Sequence, residues 1–344
     1  VQFDDIQFTG YTPQEKAQIV ERAQQRSQWI AAGKTSLEKV RASLKKLSEE
    51  LDAQAAKGRF VDAARVYWAA LNWCADDVER LLEAEEYDLV AQTPAFLEDL
   101  QRRLADPQCV LGRVLDKAPE EKDSLQVEKN PYFKAVVDVA RHSTKKQRFW
   151  AKGRKGYQSV PNAWTAAGFG GNAYAMVWSM TRPKSPLRHH PMLAANTLNL
   201  LDATAHLHTD GDFNIDRTAI YGRDPNINRF CLAPALDAYC ELLQAYPDLL
   251  PPRKRADLEA GLKQLADFQV TDYGLARIAQ KPYIKQPSYP NMDVHHILIM
   301  EFAHRLWKEP KYRQECDAFV KILDSAVHPM GAWTYINTQN ECFV

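Results

Sequence analysis

Apolar residues recur at helical spacing through the first part of the chain, as at Ile19, Ala23 and Ile30. Ala, Leu, Glu, Lys, Gln and Arg, which favour helix, dominate this part of the sequence. Thr12 followed by Pro13 is a typical helix start, because Thr caps the helix and proline fits its first turn. Further helices are predicted over 35–57, 59–85, 92–105 and 131–142.

From about residue 150 onward, helical stretches alternate with segments rich in Gly, Pro, Asn and aromatic residues. The predicted helices span 172–180, 189–208, 229–246, 252–269, 292–308 and 311–327. The long connections are 151–171, 209–228, 270–291 and 328–344, and they alternate with short ones. If successive helices run antiparallel, every second connection lies at the same end. The pattern therefore predicts one face that carries all four long segments.

These four segments are rich in cationic, amide and aromatic side chains. The stretch HTDGDFNIDRTAIYGRDPNIN, residues 208–228, holds almost nothing that could fill a core. We expect Asn172, Asn228 and Asn291 to cap helices that start on this face and direct partial positive charge toward it. Such a surface suits a sugar that bears carboxylates. The predicted substrate-binding residues are Asn172, Trp164, Arg217, Asn226, Tyr289, Lys285, Trp333 and Tyr335.

Asp210, Asp212, Asn214 and Asp216 occupy every second position of one stretch. Ca²⁺ loops often use this rhythm, because alternate side chains can turn toward one cation. The stretch departs from an EF-hand, since Ile215 stands at the turn glycine. Asp210, Asp212 and Asp216 are therefore candidate Ca²⁺ ligands, with capping and Asx-turn roles as the alternative. No metal or other cofactor is predicted to be required.

Several histidines lie at the ends of predicted helices, next to the four long polar connections. We expect His208 or His295 to bind substrate or to carry protons, with a buried, hydrogen-bonded histidine as the alternative. His295 and His296 are adjacent, so they cannot both face one point on a helix. A zinc site is less favoured, because no H-E-x-x-H spacing occurs.

Composition narrows the classes of function. The 344 residues include 44 Lys plus Arg and 44 Asp plus Glu, which argues against a surface built for nucleic acid. No apolar run approaches the ~20 residues that span a bilayer. The first residue is Val1 rather than Met, which fits a secreted or periplasmic protein whose signal peptide was removed. The six cysteines form no C-x-x-C pair and are expected to be buried thiols, with a disulfide left open.

Helical hairpins, an aromatic- and Asn-rich face, and PNMDVHH (residues 290–296) opening a helix together resemble the α/α-toroid polysaccharide lyases. The resemblance is to the broad group of heparinase II/III-like and toroid alginate lyases, and it covers about 58–344. It implies an all-α fold, an incomplete toroid of antiparallel hairpins with long loops on one face. Residues 1–57 would be a helical extension packed on this toroid, and a β-sandwich domain would follow it in the longer protein.

The resemblance also implies cleavage of an acidic polysaccharide by β-elimination at a uronic acid. We assign Asn291 and Arg223 to the substrate carboxylate, His295 or His208 to the base, and Tyr221 to the acid. One rival is a toroid glycoside hydrolase with two carboxylates, drawn from Asp210, Asp212, Asp216 and Asp293. The other is a glycan-binding helical protein without catalysis.

Overall fold

The computed structural model describes residues 10–57, 62–108, 130–142, 144, 163–206, 226–274 and 290–325. All regular structure within these ranges is α-helical, in agreement with the predicted fold class. None of the described helices is both long enough and apolar enough to span a bilayer. The helices are α1 Pro13–Ala56, α2 Asp62–Glu83, α3 Tyr87–Val90, α4 Thr93–Ala105, α5 Pro131–His142, α6 Ala163–Thr181, α7 Pro191–His206, α8 Asn226–Ala245, α9 Pro252–Tyr273, α10 Pro290–Trp307 and α11 Pro310–Ser325.

The first helix is a single element of 44 residues rather than the two shorter helices predicted there. Its predicted start is confirmed, because Thr12 and Glu15 form a reciprocal capping box. Gly33 does not break this helix. A Cβ on Gly33 would lie 2.9 Å from Cγ1 of Val90, so the lack of a side chain at Gly33 allows α3 to pack closely against α1. The C-terminal half buries a stripe at helical spacing, made of Leu37, Val40, Leu44, Leu47 and Leu51.

The core runs through α2, α7, α6 and α8, and α7 is buried on nearly all sides. Polar residues on α7 are therefore enclosed between helices. The buried side-chain oxygen of Asn199 accepts a 2.7 Å hydrogen bond from Nε1 of Trp73. That bond satisfies two buried polar groups at once and ties α2 to α7.

From α8 to α10, helices that follow one another in the sequence run in opposite directions. Tyr239 contacts Glu259 and Arg229 contacts Gln269, so α8 and α9 are antiparallel. The start of α6 lies against that of α8, because a Cβ on Gly170 would meet the carbonyl oxygen of Cys231. The starts of α8 and α10 meet through the rings of Phe230 and His295, whose centroids are 4.9 Å apart. We call this shared region, where α6, α8 and α10 begin and α9 ends, the loop end.

The predicted caps are wrong. Helix α6 begins at Ala163 instead of 172, so Asn172 lies in its middle and is exposed. Asn228 is the third residue of α8 and Asn291 the second of α10, inside their helices rather than before them. The error at α6 comes from Gly170 and Gly171: the pattern GFGGN indicates a loop, whereas Gly170 allows close packing on α8.

Candidate functional site

Five polar residues of α8, α9, α10 and α11 gather at the loop end. Arg229 is buried near the start of α8, and its Nε donates to Oε1 of Gln269, near the end of α9, at 3.1 Å. Asp293 and His296 come from the first turns of α10, and Glu315 comes from α11. The residues of α8, α9 and α10 come together because each lies near the end of its helix that belongs to the loop end.

Several buried polar atoms at the loop end have no hydrogen-bond partner among the described residues. Within the described part of the chain, Nε2 of Gln269, Oδ2 of Asp293, Nδ1 of His295 and both ring nitrogens of His296 have no hydrogen-bond partner. Gln269, Asp293 and His296 are between 0 and 2% exposed. Polar groups buried this deeply are almost always hydrogen-bonded in folded proteins, so each exception calls for an explanation, such as a catalytic role or a bound water or ion. Gln269, Asp293 and His295 therefore give the loop end unpartnered groups that could serve a polar ligand.

Asp293 is a carboxyl group that stays protonated more readily than usual. Burial raises its pKa to about 6, although the positive charge of Arg229 opposes that rise. A carboxylic acid with a pKa in this range can donate a proton near neutral pH. Asp293 is one of the carboxylates predicted for the hydrolase alternative.

His295 lies half-buried at the same end of α10, with its ring edge-on to Phe230. Burial lowers its pKa, and the charge of Arg229 lowers it further. The imidazole is consequently neutral at pH 7, which is the form that can accept a proton. Of the predicted catalytic residues, His295 is the one whose side chain the structure describes.

His296 points the other way, into the interface with α11. Its ring centroid lies 4.1 Å from that of Phe319, and Nε2 is 3.7 Å from Oε2 of Glu315. Burial lowers its pKa to about 4, despite the opposing effect of Glu315. The two histidines thus face different environments, as their adjacent positions on a helix require, and His296 is a core residue.

The remaining predicted site residues divide into two groups. Trp164 lies in the first turn of α6, Asn226 opens α8 and Asn291 follows the first residue of α10, which places their backbones at the loop end. Nothing is described of these three side chains. The others lie outside the described residues: Tyr221, His208, Arg223, Arg217, Tyr289, Lys285, Trp333, Tyr335, Asp210, Asp212 and Asp216.

Arg229 and Gln269 are not among the predicted site residues. They are the first residue of the predicted helix 229–246 and the last of the predicted helix 252–269, where an Arg or Gln is normally a solvated surface residue. A signal was present nonetheless: Arg229 and Phe230 directly follow the polar stretch 208–228, so the first turn of α8 had to face the same side as that stretch. Helix ends beside a polar segment therefore belong in a site prediction.

A second polar cluster surrounds the buried Lys254 of α9. Its Nζ lies 2.9 Å from Oδ2 of Asp77, 3.2 Å from Oδ1 of Asp202 and 3.7 Å from Oδ2 of Asp257. Burial lowers the pKa of Lys254, but these carboxylates outweigh it and raise the pKa above its usual value. The ammonium therefore remains charged, and it also lies 4.7 Å from the ring centre of Trp73.

His206 belongs to this same cluster, at the end of α7. Its Nδ1 is 2.9 Å from the backbone oxygen of Asp202, and its Nε2 is 3.5 Å from Oδ2 of Asp257. Burial lowers its pKa, but Asp202 and Asp257 together raise it to about 9. His206 is therefore cationic at neutral pH.

Asp202, His206 and Asp257 could in principle hold a metal ion, because one ligand atom of each lies within 4.8 Å of the others. The positive charge that a metal would contribute there is already supplied by Lys254 and by protonated His206. The cluster thus has the properties of an ion-pair network inside the fold, and it is not the predicted Ca²⁺ loop.

A scan against protein-family models and searches of curated proteins and of solved structures found no match to this chain.

Proposed function

We propose that the loop end binds an acidic saccharide and cleaves it by β-elimination next to a uronic acid carboxylate. The observation that carries the proposal is the half-buried His295, neutral and with an unpartnered Nδ1, beside the fixed charge of Arg229. A proton next to a carboxylate becomes removable when the carboxylate charge is balanced and the developing enolate is stabilised. Arg229 supplies such a charge, and His295 supplies the acceptor.

The reaction follows from these roles. His295 takes the proton from C5 of the uronate, and the electron pair left behind forms a double bond between C4 and C5. The bond from C4 to the glycosidic oxygen breaks, and that oxygen takes up a proton. Tyr221 is the predicted donor of that proton, and the predicted loops would carry the residues that hold the sugar.

The test is a panel of acidic polysaccharides, read by ultraviolet absorbance of the conjugated, unsaturated product. His295→Gln is expected to lower kcat by at least about 100-fold, since a positioned general base contributes about that much or more. His304→Gln is the matched control, because His304 lies at the far end of the same helix and contacts the backbone oxygen of Glu309. Equal loss in both variants, or full activity in His295→Gln, would contradict the assignment.

A second candidate function is hydrolysis of the glycosidic bond, and the raised pKa of Asp293 favours it. A buried carboxyl with a pKa of about 6 matches the general acid of a glycosidase. The two functions differ in their products: hydrolysis creates a new reducing end without ultraviolet absorbance. In that case Asp293→Asn would abolish turnover, whereas His295→Gln would leave most of it.

A further inference from the structure

A cavity of about 110 Å³ lies between α2, α4, α7 and α9, next to Lys254. The carboxylates of Asp77, Asp202 and Asp257 line it. A space of this size admits several waters or one small polar molecule. The charges on its walls decide which kind of molecule would be favoured.

Each of the three carboxylates in the wall is already close to cations. Asp77 lies 2.9 Å from both Lys254 and Arg80. Asp202 and Asp257 lie within 3.7 Å of both Lys254 and His206. The negative charge of the cavity is therefore balanced from within the fold, and a cationic ligand would have to compete with these pairs.

Arg253 supplies an additional positive charge at the mouth of the cavity, where it is exposed to solvent. Within the described ranges it has no carboxylate partner. Its guanidinium donates instead to two oxygens of Gln92, to the backbone oxygen at 2.5 Å and to Oε1 at 2.7 Å. The wall thus carries four cationic side chains against three carboxylates when His206 is protonated.

We propose that this cavity binds a small oxyanion, a carboxylate or a phosphate, through the guanidinium of Arg253. The planar fork of an arginine matches two oxygens of either group. An anion that takes the place of Gln92 would bring a full negative charge to the guanidinium, where the oxygens of Gln92 bring only partial charges.

The first turns of α4 and α9 also favour an anionic ligand in this cavity. Thr93 of α4 and Arg253 and Lys254 of α9 all line the cavity, and neither helix start has a side-chain cap. No side-chain hydrogen bond therefore caps the partial positive charge at either helix start. The site uses residues distinct from those at the loop end, so it does not depend on the proposed lyase activity.

Isothermal titration of the full chain tests the proposal, with sodium phosphate in one arm and sodium malonate in the other, at fixed ionic strength in chloride. We expect saturable binding of at least one of the two anions. Arg253→Gln should weaken that binding by about tenfold, the loss expected for a charge-assisted hydrogen bond. Arg253→Lys should fall between, because it keeps the charge and loses the fork.

Arg255→Gln is the matched control. Arg255 lies on the same helix and pairs with Glu259 at 2.8 Å, and it does not line the cavity. Arg255→Gln removes one positive charge, as Arg253→Gln does, and it should change the affinity for the anion by less than about twofold. The proposal is overturned if neither anion binds saturably, if Arg253→Gln binds as tightly as the parent protein, or if both glutamine variants weaken binding equally. Circular dichroism checks that each variant is folded.

Discussion

Gly170 of α6 and Cys231 of α8 touch through their backbones: a Cβ on Gly170 would lie 1.9 Å from the carbonyl oxygen of Cys231. No side chain fits between the two helices at this point. The contact fixes the separation of α6 and α8 near their starts, and it thereby fixes part of the loop end. Gly171 is the next residue, and among the described residues a Cβ on it would meet no heavy atom within 4 Å.

The substitution Gly170→Ala is therefore expected to lower the free energy of unfolding by about 1–3 kcal/mol, because a backbone atom cannot move aside as a side chain can. Gly171→Ala should instead raise it by about 0.5–1 kcal/mol, since alanine favours the helix. Urea unfolding followed by circular dichroism measures both. A stabilising effect of Gly170→Ala would mean that α6 and α8 do not touch at this point.

Removing the buried cation of the second cluster should be costly. Lys254→Met leaves Asp77, Asp202 and Asp257 without their shared ammonium, and we expect a loss of about 3–5 kcal/mol in urea unfolding. Lys263→Met is the control, because Lys263 is more exposed and pairs with Asp267 and Glu309. The control should cost less than about 1 kcal/mol. Similar losses in both would show that burial of Lys254 is unimportant.

The raised pKa of His206 predicts a loss of stability at alkaline pH. The pKa is about 9 in the folded protein, against 6.5 as the ordinary value. The protonated form is therefore stabilised by folding, so its contribution is complete below pH 6.5 and is lost as the pH rises through 9. The contribution is at most about 3–4 kcal/mol. Urea unfolding at pH 6, 8 and 10 should show this slope, and His206→Gln should flatten it.

His296 predicts the opposite slope on the acid side. Its pKa is about 4 in the folded protein, so folding favours the neutral ring. The contribution of His296 to stability should then fall as the pH drops from 6.5 toward 4, because the unfolded chain takes up the proton first, whereas the raised pKa of Asp293 works in the opposite direction. His296→Met should remove the part of the slope that comes from His296 while keeping an apolar contact with Phe319, so the variant should lose less stability than the parent protein on acidification. His142→Gln, an exposed position on α5, should leave the slope unchanged.

The alternation of helices could be predicted from the sequence, because its signals are local. Short connections such as 246–251 and 308–309 allow only an antiparallel return, and both flanking helices show clear periodicity. Helix starts were predicted less well. The glycines of GFGGN indicate a loop that ends before Asn172, yet the role of Gly170 is to allow close packing of α6 on α8. That role depends on Cys231, a distant residue that no local pattern reveals.

The sequence indicates the kind of chemistry at the candidate site better than it indicates the residues that form the site. His295 could be found because PNMDVHH places polar residues at a helix start beside a polar segment. Arg229 and Gln269 could not, since their importance comes from burial and from a bond between residues 40 positions apart. The Lys254 cluster joins three helices, and its three carboxylates look like ordinary surface charges in the sequence.

The bond between Lys254 and Asp77 joins residues 177 positions apart, and the bond between Trp73 and Asn199 joins residues 126 positions apart. Contacts between distant parts of a chain slow folding, because a large loop must close before they form. The hairpin of α10 and α11 and that of α8 and α9 need only nearby residues. We therefore expect these hairpins to form early in refolding, and the docking of α2 onto α7 and α9 to set the rate at which the native protein appears.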